Sequence, residues 1–319
     1  MFVVGAPKSG TTSLYEYLAG HPDVFMSPVK EPMYFAPDVH GGPRRRFEYG
    51  EDESPYLALF ADARKEKVLG EASTRYLVSR VAPKLVRDFQ PDARIVAMLR
   101  NPVEMIHALH NERVSFGTEE ITAFEAALAA DADRAAGRRL RRGADPLWAA
   151  YRSAARYGEQ IKRWIDAFGR ARVHVIVFDD FTDDTPREFR RLLRFLEVDP
   201  SYQPGSFAAR RESHRRRGGL LRAMVQSPAA RWAAQRLMPA VFGRTRSARL
   251  VWRFRQSRIN LTATPRQPLQ PELRRQLETE FAPDVAQLSR IIGRDLVELW
   301  FGRQARPEPG IEVPLLTVN

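Results

Sequence analysis

The chain has 319 residues and no cysteine, which excludes disulfide bonds and thiolate metal sites. Apolar residues make up 44% of the sequence, enough for a sizeable core, yet there is no run of about 20 apolar residues that would predict a transmembrane helix. The net charge of +12 is concentrated in residues 206–262, the arginine-rich block, which holds 14 Arg and one acid, so the rest of the chain is nearly neutral.

Short apolar runs alternate with helical periodicity along the chain. A strand over 2–4 leaves no room for a signal peptide, so we expect a cytoplasmic protein. Residues 24–35 read as a loop or edge strand. The other predicted strands cover 68–70, 94–99 and 172–178, and helices are predicted over 12–18, 57–64, 81–89, 103–114, 147–168 and 185–196. One helix or a helix pair is predicted over 122–142, and one or two helices over 271–292. This alternation predicts an α/β fold, a single domain with a central parallel sheet flanked by helices.

The domain is expected to cover 1–305, with the arginine-rich block as an insert or lid within it and 306–319 as a loose tail. A local basic block predicts a local anionic partner, because guanidinium groups suit phosphate or sulfate. Three interpretations stay open: a lid or anionic-acceptor site, a peripheral contact with a membrane, and a solvated face.

The turn at 5–12, GAPKSGTT, has the Gly-x4-Gly spacing of a P-loop, whose backbone N–H groups hold an anion. In the P-loop of an NTPase, the lysine follows the second glycine. Here Thr11 stands there, and the lysine is Lys8. No convincing acidic strand end offers a second Mg²⁺ ligand. A P-loop kinase or NTPase is therefore an alternative interpretation, as is a non-enzymatic nucleic-acid-binding protein that uses the arginine-rich block.

Five segments in order resemble sulfotransferases that use 3′-phosphoadenosine 5′-phosphosulfate (PAPS). The first, GAPKSGTTSLYEYLAGHP followed by SPVKEPMYF, is similar to their 5′-phosphosulfate loop, and its Lys-Glu-Pro is especially like that of the bacterial and heparan-type members. The next three segments of the family are similar to GEASTRYL, to RIVAMLRNPVEMIHALH and to the stretch from VHVIVF to FLEVDP. Their C-terminal helix is similar to PLQPELRRQLETEF. The resemblance implies a bacterial sulfotransferase with a P-loop-like phosphosulfate-binding turn, PAPS as donor, PAP as product, and no metal.

Cofactor-binding residues follow from this resemblance. The turn would hold the 5′-phosphate through Pro7, Lys8, Ser9, Gly10, Thr11 and Thr12. Arg100 ends a buried strand and would bind the 3′-phosphate. The family's third cofactor segment is a basic loop, and ESHRRRGGLLRAM lies at its place, which implies Arg216, Arg217 and Gly218. The family usually has a serine eight residues after the arginine of the 3′-phosphate site, but this chain has Ala108, so what replaces that contact is open.

The resemblance also implies catalytic roles. Lys8 would stabilise the leaving oxygen, and Glu31, next to Lys30, would take the proton of the acceptor. A surface ion pair of Lys30 and Glu31 is the alternative. His107 and His110 are rival bases, or packing or substrate-lining residues.

The acceptor site is less closely defined. Glu71, Ser73 and Tyr76 are expected to line the acceptor or nucleotide cleft. The predicted acceptor is a hydroxyl, with an amine less favoured, of a glycan, lipid or secondary metabolite, and no nucleic-acid partner is expected.

Overall fold

The computed structural model describes residues 1–39, 53–140, 144–207 and 268–302, together with the backbone of 214–216 and 261–263. Most of the arginine-rich block, including Arg217 and Gly218, and the tail 306–319 lie outside these residues. Within the described part, no helix combines the length and apolarity needed to cross a bilayer.

The centre of the fold is a parallel sheet of five strands in the order β2-β3-β1-β4-β5. The strands are β1 Phe2–Gly5, β2 Val24–Met26, β3 Val68–Ala72, β4 Ile95–Leu99 and β5 Val173–Val177. Every neighbouring pair is parallel, and the register places Phe2 opposite Glu71 on one side and Ile95 on the other. The predicted α/β fold with a central parallel sheet is confirmed.

Helices cover both faces of this sheet. They are α1 Thr11–Ala19, α2 Ser54–Leu57, α3 Ala82–Phe89, α4 Pro102–Ser115, α5 Phe124–Ala129, α6 Asp131–Ala135, α7 Pro146–Ala149, α8 Tyr151–Ala154, α9 Tyr157–Phe168, α10 Phe178–Asp183, α11 Thr185–Leu196, α12 Pro271–Ile292 and α13 Leu296–Phe301. Among them, α4 starts directly after β4 because Asn101 Oδ1 accepts the N–H groups of Val103 and Glu104, and proline suits the first turn.

Two apolar cores lie on opposite faces of the sheet, as the period of two along a strand requires. In β4, residues 95, 97 and 99 face one core, where α9 and α12 contribute Trp164 and Phe281. Residues 96 and 98 face the other core, where α1 and α11 contribute Leu14 and Phe189. The sheet is thus buried on both sides, which leaves its strand ends as the place for a site.

Some predicted boundaries were wrong. The predicted helix over 147–168 divides into α7, α8 and α9, whereas 122–142 forms the pair α5 and α6, one of the two predicted alternatives. Asp131 explains one of the breaks, because its buried carboxylate accepts the N–H groups of Tyr151 (3.0 Å) and Arg152 (2.8 Å) at the start of α8.

At the ends of the arginine-rich block, β6 His214–Arg216 and β7 Leu261–Ala263 pair antiparallel, and β6 lies beside α4.

Candidate active site

The turn that joins β1 to α1 lies at the carboxyl end of the central strand. Lys8 and Gly10 have φ values of 58° and 90°, in the left-handed region that glycine adopts freely and lysine seldom does. Left-handed residues in a turn bring backbone N–H groups toward one side, which is the geometry of backbone anion sites. Gly10 precedes α1 without a side-chain cap, so the first N–H groups of α1 also face the turn.

Hydroxyl groups add further donors to this turn. Ser9 and Thr11 are buried, and Thr12 is half-buried. Ser9 Oγ donates to the carbonyl of Pro7 at 3.2 Å, which holds the turn closed. The structure therefore brings together all the predicted 5′-phosphate residues of 7–12 at one strand end.

Two cations meet at the same turn. Lys8 Nζ lies 2.7 Å from Glu112 Oε1, and the two side chains are 29% and 32% exposed, so the pair opens to solvent. Arg100 Nη1 donates to the carbonyl of Lys8 at 3.4 Å, and its other terminal nitrogen lies 3.4 Å from Glu104. The Arg100 guanidinium also covers the ring of Phe178 at 5.1 Å from the centroid. Arg100 is thus fixed beside the turn.

Glu112 is a site residue that the sequence analysis missed. It lies on α4 one turn after Ala108, which is buried, and i,i+4 residues share a helix face. The i,i+4 spacing from Ala108 was the one feature of the sequence that indicated Glu112. Its contact with Lys8 joins residues 104 apart in sequence, so no local pattern indicates it.

The Glu31 segment, residues 27–35, runs beside the end of β3. Ser27 N–H donates to the carbonyl of Gly70 at 2.7 Å, and Glu31 N–H donates to that of Ala72 at 2.8 Å. Further along, Met33 and Phe35 donate to side-chain hydroxyl groups. The segment therefore continues the pairing of β2 with β3 past the end of the strands.

The Glu31 carboxylate is held by several donors. It accepts from the Thr74 N–H at 2.9 Å, from Thr74 Oγ1 at 3.1 and 3.2 Å, and from Lys30 Nζ at 2.9 Å. The Lys30 side chain is 7% exposed and that of Glu31 is 27% exposed, so the two form an ion pair whose lysine lies on the buried side. Both predicted catalytic residues of this segment lie together at the end of β3.

Glu71, Ser73 and Tyr76 lie elsewhere than expected. All three are buried, so in this structure they lie beneath the Glu31 segment and do not line an open cleft. Burial raises the pKa of Glu71 to about 7, and the hydroxyl groups that it accepts from oppose the shift. From the sequence, a carboxylate at a strand end is compatible with two positions, at the wall of an open cleft or beneath a neighbouring segment. The burial of Glu71 shows that it takes the second.

The two predicted histidines lie in the core. His107 packs against Phe124 at 5.0 Å between ring centroids, and His110 packs against Phe124 and Tyr151. His110 Nε2 lies 2.9 Å from the carbonyl of Ile121, and burial lowers the pKa of the ring. This placement favours the packing interpretation over the base.

A cation–aromatic cluster links the two halves of the site and was also missed. The guanidinium carbons of Arg75 and Arg113 lie 4.5 and 4.6 Å from the centroid of Trp148. Arg75 follows Thr74, and Arg113 follows Glu112, so the Trp148 cluster connects the contacts of Glu31 with those of Lys8. Of the three residues predicted from the third cofactor segment, the structure describes only Arg216, by its backbone in β6.

Residues 1–213 match the model of the sulfotransferase domain family. The chain belongs to this family. A sulfotransferase from Alicyclobacillus acidocaldarius has a crystal structure with a TM-score of 0.68 and 30% identity, and the match covers 94% of this chain and 97% of that one.

Among curated relatives, human carbohydrate sulfotransferase 15 is 32% identical over an alignment of 145 residues, and the match covers 34% of this chain and 26% of the relative. Mouse heparan sulfate glucosamine 3-O-sulfotransferase 3B1 is 25% identical over 194 residues, or 61% and 45%. The chain thus spans between a quarter and a half of the length of these relatives. Membership of the sulfotransferase family confirms the resemblance and favours it over the P-loop kinase interpretation.

Proposed function

We propose that the chain transfers a sulfuryl group from PAPS to a hydroxyl of a glycan, lipid or secondary metabolite, with an amine as the less favoured acceptor. The observation that carries the proposal is the meeting of two charged centres at one edge of the sheet. Lys8 follows β1, Glu31 lies at the end of β3, and these strands are neighbours. The carboxyl ends of neighbouring parallel strands share an edge, which is the usual ligand site of such sheets.

The residues present fit a strongly anionic donor. The turn offers backbone N–H groups, the hydroxyls of Ser9, Thr11 and Thr12, and the ammonium of Lys8, and Arg100 adds a guanidinium alongside. We assign the 5′-phosphosulfate to the turn and the 3′-phosphate to Arg100, with Arg216, Arg217 and Gly218 of the arginine-rich block. When bound, PAPS supplies a sulfuryl group whose bond to the bridging oxygen breaks during transfer.

Lys8 stabilises the charge that develops on the leaving oxygen. An ammonium has three N–H donors, and Glu112 takes one of them, so two are left for the donor molecule. Charge stabilisation by a preorganised cation is worth most where water is excluded.

Glu31 acts on the acceptor. The O–H bond of the acceptor breaks, its proton passes to the Glu31 carboxylate, and the acceptor oxygen forms the new bond to sulfur. Thr74 and Lys30 fix the carboxylate, and such a positioned base contributes a rate factor of about 10² to 10⁴. Lys30 holds Glu31 from the buried side and need not touch the acceptor.

A glycan is the favoured acceptor, because the relatives are named for carbohydrate and heparan sulfate. We assign the domain to 1–305, with the arginine-rich block as a lid over the acceptor and 306–319 as a tail. We place the protein in the cytoplasm, with peripheral membrane contact through the same block as the alternative to a lid.

Ligand-induced thermal shifts test the proposal. PAP without metal should raise the melting temperature, whereas ATP with Mg²⁺ and duplex DNA should not. Glu31→Gln should lower turnover of labelled PAPS about a hundredfold or more and leave PAP binding within about twofold. A shift by ATP with Mg²⁺ and none by PAP would favour a kinase instead. Full activity of Glu31→Gln would move the base elsewhere.

A further inference from the structure

Two hydroxyl groups hold the second half of the Glu31 segment. The N–H of Met33 donates to Ser73 Oγ at 3.0 Å, and the N–H of Phe35 donates to the Tyr76 hydroxyl at 3.2 Å. A hydroxyl both donates and accepts, and its hydrogen rotates to suit its neighbours. These hydroxyls are therefore reliable acceptors for the segment only if another group fixes their hydrogens.

Glu71 supplies that constraint. Its two carboxylate oxygens accept from Ser73 Oγ and from the Tyr76 hydroxyl, each at 2.7 Å, and the Tyr56 hydroxyl donates to it at 3.3 Å. With their hydrogens directed at the carboxylate, Ser73 and Tyr76 present lone pairs to the segment. Two continuous hydrogen-bonded chains thus run from one carboxylate to the backbone of the Glu31 segment.

Burying a carboxylate here is costly. Glu71 is 1% exposed, and no Lys or Arg side chain among the described residues forms an ion pair with it. An apolar side chain would fill the space at lower cost, so what the carboxylate adds is its control of the hydroxyls. Its pKa of about 7 leaves it ionised above neutral pH, and the titratable groups that face it are Tyr56, Tyr76, Glu31 and the amino group of Met1, whose pKa burial lowers to about 5.

We propose that Glu71 is a positioning residue, which acts through Ser73 and Tyr76 to hold the Glu31 segment where Glu31 meets the acceptor. The inference rests on the proposed role of Glu31 as the base. The segment needs such support, because Glu31 and Met33 have φ values of 63° and 60°. Non-glycine residues keep these values only where their surroundings impose them.

Amide hydrogen exchange of the full chain at pH 8 measures the positioning without relying on activity. Glu71→Gln should speed exchange at the amides of Met33 and Phe35 at least fivefold, because the side-chain amide cannot accept from both hydroxyls as a carboxylate does. If that variant does not fold, two others give the same test. Ser73→Ala should speed exchange at the amide of Met33, and Tyr76→Phe should speed it at the amide of Phe35.

Tyr56→Phe is the matched control. It removes the longest of the three hydrogen bonds to Glu71 and leaves both hydroxyl-to-backbone bonds in place. Exchange at Met33 and Phe35 should then stay within about twofold of the wild type. Unchanged exchange in folded Glu71→Gln, or in both Ser73→Ala and Tyr76→Phe, would overturn the inference.

Turnover connects the positioning to catalysis. Glu71→Gln should lower kcat about tenfold or more while the Kd for PAP stays within about twofold, since the turn that binds the nucleotide is untouched. If Glu31→Gln lost activity and Glu71→Gln kept it, the inference would be wrong and the base would stand. If exchange rose but Glu31→Gln stayed active, the base assignment would fail while Glu71 would still position the segment.

Discussion

Lys8 is held at both ends of its side chain. Arg100 contacts its carbonyl, and Glu112 pairs with its ammonium at 2.7 Å. The carboxylate keeps a flexible lysine in place but also opposes the arrival of an anion, because like charges close together repel. Glu112 is therefore both a holder of Lys8 and a competitor of the donor for it.

Removing this charge gives a counterintuitive prediction. Glu112→Gln should bind PAP about threefold to tenfold more tightly at low salt, because one negative charge leaves the turn, and the gain should shrink at high salt. Lys8→Ala should weaken PAP binding and turnover together. Calorimetric titration at two salt concentrations measures both. Glu120→Gln, an exposed change of equal charge, is the control. Weaker binding in Glu112→Gln would show that holding Lys8 outweighs the repulsion.

At the level of elements, a helix can break because a residue that is distant in sequence contacts it, and the local sequence does not show that contact. The apolar periodicity of 147–168 suits one helix, but Asp131 of α6 caps the start of α8 and separates it from α7. Distance in sequence likewise hides the contact of Glu112 with Lys8 and that of Trp148 with Arg75. By contrast, the turn at 5–12 and the strand that ends before Arg100 are local patterns, and the sequence predicts them correctly.

The α6–α8 junction predicts a stability difference between two aspartates of one helix. Asp131→Ala leaves one buried and one partly buried N–H group of α8 without their acceptor, so the free energy of unfolding should fall by about 1–3 kcal/mol. Asp133→Ala, which removes an exposed pair with Arg138, should cost less than about 1 kcal/mol. Urea unfolding of both variants measures the difference. Equal losses would mean that Asp131 does not secure the junction.

Across the whole molecule, the sequence predicts which residues share the sheet edge but not how deep each one lies. The strand ends of the sequence indicate Lys8 and Arg100, whereas Glu31 is implied by the resemblance to the sulfotransferase family. Glu71 was expected in the cleft, and it is buried because Tyr56 and the Glu31 segment cover it. Depth depends on what packs above a residue, and that part of the chain is distant in sequence.

Two buried ionisable groups, Glu71 and His174, make the stability of the folded state depend on pH in opposite directions. The pKa of Glu71 rises from 4.5 to about 7, so between these values the folded state binds the extra proton and stability falls as pH rises. The pKa of His174 falls from 6.5 to about 4 by burial, so between these values the unfolded state binds the proton and stability rises with pH. Each contribution is at most about 3 kcal/mol.

Single substitutions should separate the two terms. Relative to the wild type, Glu71→Gln should gain stability as pH rises from 4.5 to 7, because it lacks the cost of ionising a buried carboxyl. His174→Gln should lose relative stability as pH rises from 4 to 6.5, because it lacks the gain. Urea unfolding at half-unit pH steps measures the difference curves, in which all other titrations cancel. Flat difference curves would mean that both groups titrate alike in the folded and unfolded chain.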